Sequence, residues 1–557
     1  MQTYRAEGRW ILPGSSEYYY GVLSFDQESG AELILKDIAL EKVDQIEIIH
    51  GISKNGKAIT LYDCYRTSTP ININSFGNYA ETVFSCMYIF EGVHLKEFPS
   101  FRSVSVNLSN LAEWTEKNGI SSDLYVENKT TVKCEVPEKI DLGSLSGCKY
   151  NISFSLNNKN EGTLVTKEHI IVFKAWVNIE FNEEMSFNDA FKKIRYFSSL
   201  LSFVLKKPVS IQEFHGKSEQ FVSSYDNKTL ETIKCYFYQA GYQKEDTLHN
   251  IDIFRYIHLS KINPRFVIKW ISLYENDLFR PVFDNFISEY STPSVYIDRK
   301  FVNYSRALEV LHRALSETKD SCCYRRKFKE IANDLLEKFS DNQDEIDFIK
   351  KQVEKKYKTP TLYQRMIELT IEYKNYLELY QIKEVHLFCR DVSGWRNSLV
   401  HGDVSVQPKI KKSLGSDISL LNRKIEALLR ICLLKLIGMD EKYILEKFSI
   451  DVPEDFKKNY IHEYVESRTS DPDVKLELVK DLAYMVHRFV IVSADTINFY
   501  RSEKVSEKEA DKILKYLVEI DLIEHNGQVS SGGYNHYHVR NEINKHIVEK
   551  YVEKKSM

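Results

Sequence analysis

The residues best suited to catalysis lie together in the segment Gly394–Asp403, which reads GWRNSLVHGD. Arg396 is a permanent cation that can bind a phosphate, and His401 is a side chain that can transfer protons near neutral pH. Gly402 directly follows His401 and predicts that a helix ends there, which places His401 in its last turn. The partial negative charge of a helix C-terminus favours the imidazolium form, as a general acid requires. Asn397 precedes His401 by four residues, so it shares a helix face with the imidazole and can orient it.

The bare pattern, an arginine followed by a histidine after four to six intervening residues, is weak evidence. Chance alone predicts about two such matches in a chain of this composition. Three matches occur, and the other two are Arg306 with His312 and Arg540 with His546. The pair Arg306 and His312 falls inside an apolar helical pattern, and the pair Arg540 and His546 follows a predicted hairpin. Context therefore favours Arg396 and His401, although a buried capping histidine remains the alternative.

Other catalytic signatures are missing from the sequence. It contains no GxxxxGK[ST] or GxGxxG loop, no HExxH or GxSxG motif and no CxxC pair. His536 and His538 alternate on a predicted strand, but two histidines without a third ligand predict no metal site. We therefore expect neither a metal nor a cofactor.

The spacing of apolar residues predicts a multidomain α+β chain, in which strands predominate in the first part and helices in the second. The first third alternates apolar and polar residues between turn signals, which predicts a β-sandwich-like antiparallel domain at residues 1–140. A second β-rich or mixed domain is predicted at 141–262, a helical bundle at 263–445, and a winged-helix-like domain at 446–557. The candidate motif would close one helix of the bundle.

Composition limits where the protein acts and what it binds. The 557 residues carry a net charge of −4, with nine scattered cysteines that are typical of free thiols in a reducing cytoplasm. No apolar run is long enough to cross a membrane, and the first residues lack an apolar signal core, so we expect a cytoplasmic protein without membrane contact. Residues 501–557 contain ten basic and ten acidic side chains, which argues against duplex DNA binding and favours a protein-contact or regulatory role for this tail.

Residues 301–440 carry 25 basic against 20 acidic side chains, a local excess that permits a polyanion to bind. Arg325, Arg326, Lys327 and Lys329 form a basic cluster that could hold an RNA backbone, although a solvated surface explains the cluster equally well. Glu309 and His312, on the first bundle helix, could line the site, but structural pairing is the simpler expectation for them.

The motif Arg396-Asn397-x-x-x-His401, followed by Gly402-Asp403, resembles the signature of HEPN-domain ribonucleases. The order of domains resembles the ApeA-type HEPN proteins of bacterial anti-phage defence, and this resemblance covers about residues 1–440. Further segments that carry it are Gly8–Pro13, Tyr20–Leu23, Ile49–Gly51, Ile59–Tyr62, Phe90–His94, Val106–Leu108, Leu111–Trp114 and Ser305–Arg313.

The resemblance implies a metal-independent endoribonuclease in which the RNA 2′-hydroxyl attacks the adjacent phosphate and leaves a 2′,3′-cyclic phosphate. It further implies a homodimer, because HEPN enzymes pair two bundles and this chain has one such motif. An abortive-infection effector released by a phage-derived trigger, with tRNA as one candidate substrate, is the biological expectation. The alternatives are a non-catalytic HEPN and winged-helix sensor or regulator that binds protein or DNA, and an inactive HEPN scaffold.

Overall fold

A computed structural model shows how the chain folds. All structural statements concern the residues that it describes. These are residues 3–38, 40, 44–68, 71–74, 77–126, 129–161, 168–223, 226, 228–239, 257–291, 296–318, 343–344, 346–348, 351, 360–373, 385–401, 416–440, 443–444, 454–469, 476–489, 507–529, 534–540, 542–543, 546–547 and 550.

The N-terminal strands follow the alternation expected of a half-buried sheet. In the first strand Ala6 and Trp10 are buried while Arg5 and Arg9 are exposed, so one face of the strand is apolar and the other polar. The strands of this region are β1 (Thr3–Ile11), β2 (Tyr18–Asp26), β3 (Gly30–Lys36), β4 (Gln45–Ser53), β5 (Ala58–Ser68), β6 (Ile71–Asn74) and β7 (Gly77–Glu91).

Six of these strands close into an antiparallel barrel rather than the expected sandwich-like arrangement. The order is β3-β2-β1-β4-β5-β7, and the ring closes because β7 pairs with β3 along one edge and with β5 along the other. Closure removes free strand edges, which a sandwich leaves exposed. The barrel encloses a core of large apolar side chains, among them Trp10, Leu23, Phe25, Leu33, Leu35, Ile49, Ile59, Leu61, Phe84 and Ile89.

A second sheet continues from the end of β7, where Lys234–Phe237 pair with its last four residues. Its order is β15-β14-β8-β13-β12-β11, and it is antiparallel throughout. The strands are β8 (Ser100–Leu108), β11 (Ile140–Leu145), β12 (Cys148–Glu161), β13 (Glu168–Ser186), β14 (Ile211–Val222) and β15 (Leu230–Phe237), and a separate hairpin joins β9 (Ile120–Val126) to β10 (Lys129–Cys134).

The division predicted at residue 140 does not correspond to a break in this sheet. Strand β8 lies before residue 140, yet both of its neighbours, β13 and β14, lie after it, so backbone hydrogen bonds join the two predicted domains. Helix α2 (Phe187–Leu205) contacts β8 and β13 and buries Phe187, Ile194 and Phe197. Its first turn is capped by Ser186, whose hydroxyl accepts a hydrogen bond from the amide of Asp189.

The chain separates into two compact units, the second of which begins in sequence at residue 296 apart from short earlier segments. Helices α1 (Leu111–Thr115), α3 (Phe266–Glu275), α4 (Arg280–Phe286) and α5 (Ser288–Ser291) belong to the first unit. Trp270 of α3 packs on Phe203 of α2, with ring centroids 4.7 Å apart. Aromatic packing therefore ties residues 263–291 to the β-rich unit, and the bundle starts later than the predicted residue 263.

The second unit contains the helical bundle. Helix α6 (Ile297–Thr318) contacts α7 (Leu362–Glu372), α8 (Val385–His401) and α9 (Ser416–Leu436), and α7 also contacts α8. The long helix α6 buries Phe301, Leu308 and Leu311 at helical spacing, as the sequence period of 3.6 predicts. Thr361 and Gln364 form a capping box that begins α7.

The C-terminal residues form helices α10 (Glu454–Arg468), α11 (Leu476–Phe489) and α12 (Glu507–Glu519), followed by a hairpin of β16 (Ile523–Val529) and β17 (Tyr534–Val539). A core that includes Ile461, Leu482, Leu517 and Ile523 joins these elements. The order of helices and hairpin fits a winged helix, and that assignment stays a prediction. Within the described ranges, no helix has the length and apolar character that a membrane crossing needs.

The packing of the barrel core predicts that position 51 tolerates no side chain larger than glycine. Gly51 lies directly across from Trp10 on the neighbouring strand. A Cβ at this position would lie 2.3 Å from the indole ring, so Gly51→Val must displace a fully buried tryptophan. We expect a loss of about 1–3 kcal/mol in the free energy of unfolding of the barrel. Urea denaturation followed by tryptophan fluorescence measures it, with the exposed Gln45→Ala on the same strand as control. An unchanged midpoint in Gly51→Val would show that the barrel is packed differently.

Candidate active site

The candidate motif lies in the last turns of α8. Helix α8 is described as far as His401, and the predicted position of this residue in the last turn of the helix stays a prediction. Arg396 is half-buried and Asn397 is exposed. The side chain of His401 and the residues Gly402 and Asp403 lie outside the described part of the chain.

Arg396 is held by a carboxylate from another helix. Its Nη2 atom lies 3.6 Å from Oε2 of Glu309 on α6, and the two side chains are 27% and 25% exposed. The other carboxylate oxygen of Glu309 lies 3.7 Å from Nη2 of Arg313, one turn further along α6. Glu309 therefore bridges two arginines. Solvent screens an ion pair this exposed, so it is worth about 0–1 kcal/mol, and a phosphate can replace the carboxylate at little cost.

Asn397 contacts the arginine rather than standing apart from it. Its Oδ1 atom accepts a hydrogen bond of 3.4 Å from Nη1 of Arg396. Since Asn397 and His401 are four residues apart on one helix, the amide also lies on the helix face of the histidine. The asparagine thus connects the arginine, through a hydrogen bond, with the helix face that carries His401.

The face of α8 beside the motif is open. Leu387, Gly394 and His401 follow one another at intervals of seven residues and so occupy one side of the helix. The side chain of Leu387 is 40% exposed, and a Cβ built at Gly394 would meet no atom within 4 Å. A glycine in a helix interior costs about 1 kcal/mol relative to alanine, so its presence here needs another reason.

The second arginine–histidine match has a structural role. His312 is buried in the bundle, where its Nε2 atom lies 2.5 Å from Oε2 of Glu368 on α7. Its Nδ1 atom lies 3.3 Å from the hydroxyl of Ser316. Because both ring nitrogens have partners inside the helical bundle, His312 joins α6 to α7 and has no nitrogen left for a substrate.

The only described cysteine of α8 is unsuited to nucleophilic catalysis. Cys389 is fully buried, and its sulfur lies 3.6 Å from the hydroxyl of Thr370 on α7. Burial raises the pKa of the Cys389 thiol to about 11, so the thiol stays protonated at neutral pH. Cys389 is therefore not a candidate nucleophile at neutral pH.

Comparison with protein families now assigns both halves of the chain. The family model described as ApeA N-terminal domain 1 matches residues 5–270, and the model described as Apea-like HEPN matches residues 302–443. The chain is an ApeA-like HEPN protein. The HEPN match contains helices α6 to α9 and the whole candidate motif, and this domain indicates an anti-phage nuclease family. Searches of the curated proteins and of the solved structures returned no match.

The match to residues 5–270 covers the barrel, the second sheet and the first half of helix α3 of the ApeA-like protein together. This extent agrees with the continuous sheet across residue 140. The HEPN match starts at residue 302, close to the beginning of α6, in agreement with the later start of the bundle.

Two further groups of sequence-predicted residues in this HEPN protein have no structural description. The basic cluster of Arg325, Arg326, Lys327 and Lys329 and the side chains of His536 and His538 lie outside the described residues. Among the residues that are described, no three histidine, cysteine, aspartate or glutamate side chains are grouped as a metal site would require.

The contact between His312 and Glu368 predicts that Glu368 stabilises the HEPN bundle and takes no part in catalysis. Glu368→Ala leaves a buried imidazole without its main partner, and we expect a loss of about 1–3 kcal/mol in the free energy of unfolding. Glu368→Gln keeps an oxygen at this position and should lose less. Thermal denaturation of the two variants checks this order. If Glu368→Ala is as stable as the unaltered protein, the pair does not hold α6 to α7.

Proposed function

We propose that this protein is a metal-independent endoribonuclease that cuts RNA by attack of a 2′-hydroxyl on the adjacent phosphate. The products are a 2′,3′-cyclic phosphate and a 5′-hydroxyl. The observation that carries the proposal is the Arg396–Glu309 ion pair, because it holds an exchangeable guanidinium on the helix that carries His401, inside a matched HEPN domain.

The charges of the reaction assign a role to each residue. The pentavalent phosphorus gains negative charge, which the guanidinium of Arg396 stabilises through charge-assisted hydrogen bonds. One proton must leave the attacking 2′-hydroxyl and another must reach the departing 5′-oxygen, which is general acid–base work for His401. Asn397 keeps the guanidinium and the helix face of the imidazole in a fixed relation. The atoms balance without water or metal.

One histidine cannot remove one proton and deliver another at the same moment, so the active form is a homodimer with two motifs around one phosphate. The open face of α8 supports this arrangement. Leu387 offers exposed apolar area, and Gly394, seven residues along, lets a second helix approach the backbone closely. Such a helix would bring the partner copy's Arg396 and His401 beside their counterparts.

In the cell, this nuclease would act as a triggered effector of abortive infection, inactive until a phage-derived signal appears. Its substrate would be exposed single-stranded RNA, such as a tRNA anticodon loop, because unstacked bases are accessible to proteins. The family assignment to ApeA-like HEPN proteins supports this setting. The β-rich N-terminal unit would receive the signal.

The catalytic role of His401 predicts complete loss of cleavage in His401→Ala. Purified protein is incubated with total RNA and excess EDTA, together with clarified extract of phage-infected cells that supplies the trigger, and the ends of the fragments are compared with those from extract alone. We expect cleavage that survives the chelator and leaves cyclic-phosphate ends, and a loss of at least about a hundredfold in the variant, since acid–base catalysis contributes about 10²–10⁴-fold. Cleavage that persists in His401→Ala, or stops with EDTA, would contradict the mechanism. Absence of cleavage in both would favour a non-catalytic sensor.

The Arg396–Glu309 pair predicts that Glu309 positions the guanidinium without touching the RNA. Glu309→Ala should lower kcat about tenfold with KM within about twofold, because a misplaced catalytic group slows the chemical step more than it weakens binding. Glu309→Gln keeps an acceptor oxygen and should recover most of the rate. Arg313→Ala is the matched control, since it removes the other partner of the same carboxylate. If Glu309→Ala raises KM and leaves kcat unchanged, Glu309 does not position Arg396.

A further inference from the structure

The outer face of the barrel carries two exposed tyrosines on strand β2. The side chains of Tyr18 and Tyr20 are 60% and 40% exposed. They are two residues apart on one strand, so both rings point outward, about 6.6 Å apart along the strand. Large aromatic side chains are seldom left this exposed side by side on a surface that binds nothing.

Cations surround the second of these rings. The Nζ atoms of Lys54 and Lys36 lie 5.6 and 6.0 Å from the centroid of the Tyr20 ring. Arg9 is the residue directly opposite Tyr20 on strand β1. Three positive side chains therefore flank one exposed aromatic ring.

Two acidic side chains offset this charge only partly, since Glu81 lies opposite Lys36 on β7 and Glu7 lies beside Tyr20. Glu7 accepts hydrogen bonds from Lys54 and, at 2.9 Å, from the hydroxyl of Tyr20. Within the described ranges, neither Arg9 nor Lys36 has a carboxylate within ion-pair distance, so two cations at this surface have their charge available. Glu7 fixes the tilt of the Tyr20 ring without neutralising its neighbours.

The register of the barrel places these residues in one continuous surface. Arg9 pairs with Tyr20 on one side and with Ile52 of β4 on the other, and Ile52 is 42% exposed. We call this surface the barrel platform, and it consists of Arg9, Tyr18, Tyr20, Lys36, Ile52 and Lys54. Because the barrel is closed, its strands cannot slip, and the platform is a rigid part of the fold.

We propose that the barrel platform binds single-stranded RNA. Aromatic rings that accept stacked bases, together with cations that follow the phosphates, are the combination that single-strand binding requires. The rings of Tyr18 and Tyr20 are two residues apart on one strand, so two neighbouring bases can stack on them, one on each ring. The cation–π contacts over Tyr20 are worth only about 0.5–1 kcal/mol at an exposed site, so a base can displace Lys36 from the ring and leave its ammonium group to a phosphate.

The exposed rings of the platform favour a single strand over a duplex, because duplex RNA conceals its bases and would use the cations alone. An acidic protein can contact both the cations and the tyrosines, and competition with poly-glutamate distinguishes it from RNA. The choice of RNA over DNA rests on the proposed ribonuclease function. The platform would bind single-stranded RNA of the class that the HEPN domain cuts.

Binding is tested on the full-length protein with His401→Ala and EDTA present, so that no cleavage interferes. A short fluorescein-labelled single-stranded RNA of mixed sequence is titrated by fluorescence anisotropy between about 50 and 200 mM salt. The test variant is Arg9→Gln with Lys36→Gln. The control is Lys149→Gln with Lys228→Gln, which removes the same charge from exposed positions of the same unit. A second test is Tyr18→Ser, with the exposed barrel residue Tyr65 changed to Ser as its control.

We expect the test variant to bind about tenfold or more weakly and the slope of log K against log salt to fall in magnitude by about 1.4, since each phosphate contact contributes about 0.7. Tyr18→Ser should also lose about tenfold, and both controls should stay within about twofold. The proposal is overturned if the test and control variants bind alike, if duplex RNA or single-stranded DNA binds as tightly as single-stranded RNA, or if poly-glutamate displaces the RNA.

These results are independent of the nuclease assay. Binding is measured where cleavage is already blocked, so failure of the platform leaves the role of His401 untouched. Conversely, a protein that cuts no RNA but binds it through Arg9, Lys36 and Tyr18 would retain the platform and lose the proposed enzymatic function.

Discussion

The ion pair between Arg396 and Glu309 is the contact on which the candidate active site depends. It links α6 and α8, which meet along the bundle, and it fixes a cation on the helix that carries His401. Both side chains are about one-quarter exposed, so solvent screens the attraction between them and the ion pair can open when a phosphate binds. While the pair is closed, the carboxylate of Glu309 orients the guanidinium. A fully buried pair would keep the arginine from a substrate, because separating a desolvated ion pair is strongly destabilising.

In the bundle, the polar side chains that hold helices together are buried, whereas those of the candidate motif lie at the surface. His312 and Glu368 lie inside and satisfy one another, and Cys389 is buried and stays protonated. Arg396 and Asn397 lie at the surface of α8, beside an open glycine. This distribution explains why His312 holds helices together, whereas Arg396 stays accessible to solvent, as the proposed catalysis requires.

The sequence predicted the local elements well and their assembly less well. Alternation of apolar and polar residues identified the strands, and spacing of apolar residues three and four apart identified the bundle helices. The sandwich-like arrangement was wrong, and the predicted division at residue 140 does not coincide with a break in the second sheet, for the same reason. Barrel closure depends on β7 pairing with both β3 and β5, and continuity of the second sheet depends on β8 lying between β13 and β14. Periodicity shows which face of a strand is apolar but not which distant strand it pairs with.

Residue type and spacing by themselves determined the motif of Arg396, Asn397 and His401 and the resemblance to ApeA-type HEPN proteins, because both are read from short segments of the chain without knowing how those segments pack. The tertiary structure alone decided that Glu309 holds Arg396 and that His312 faces Glu368. It also decided that Arg9, Tyr20 and Lys36 form one surface across three strands. Each of these relations joins residues from different elements, and such pairs are fixed by packing and strand register, which a linear pattern does not contain.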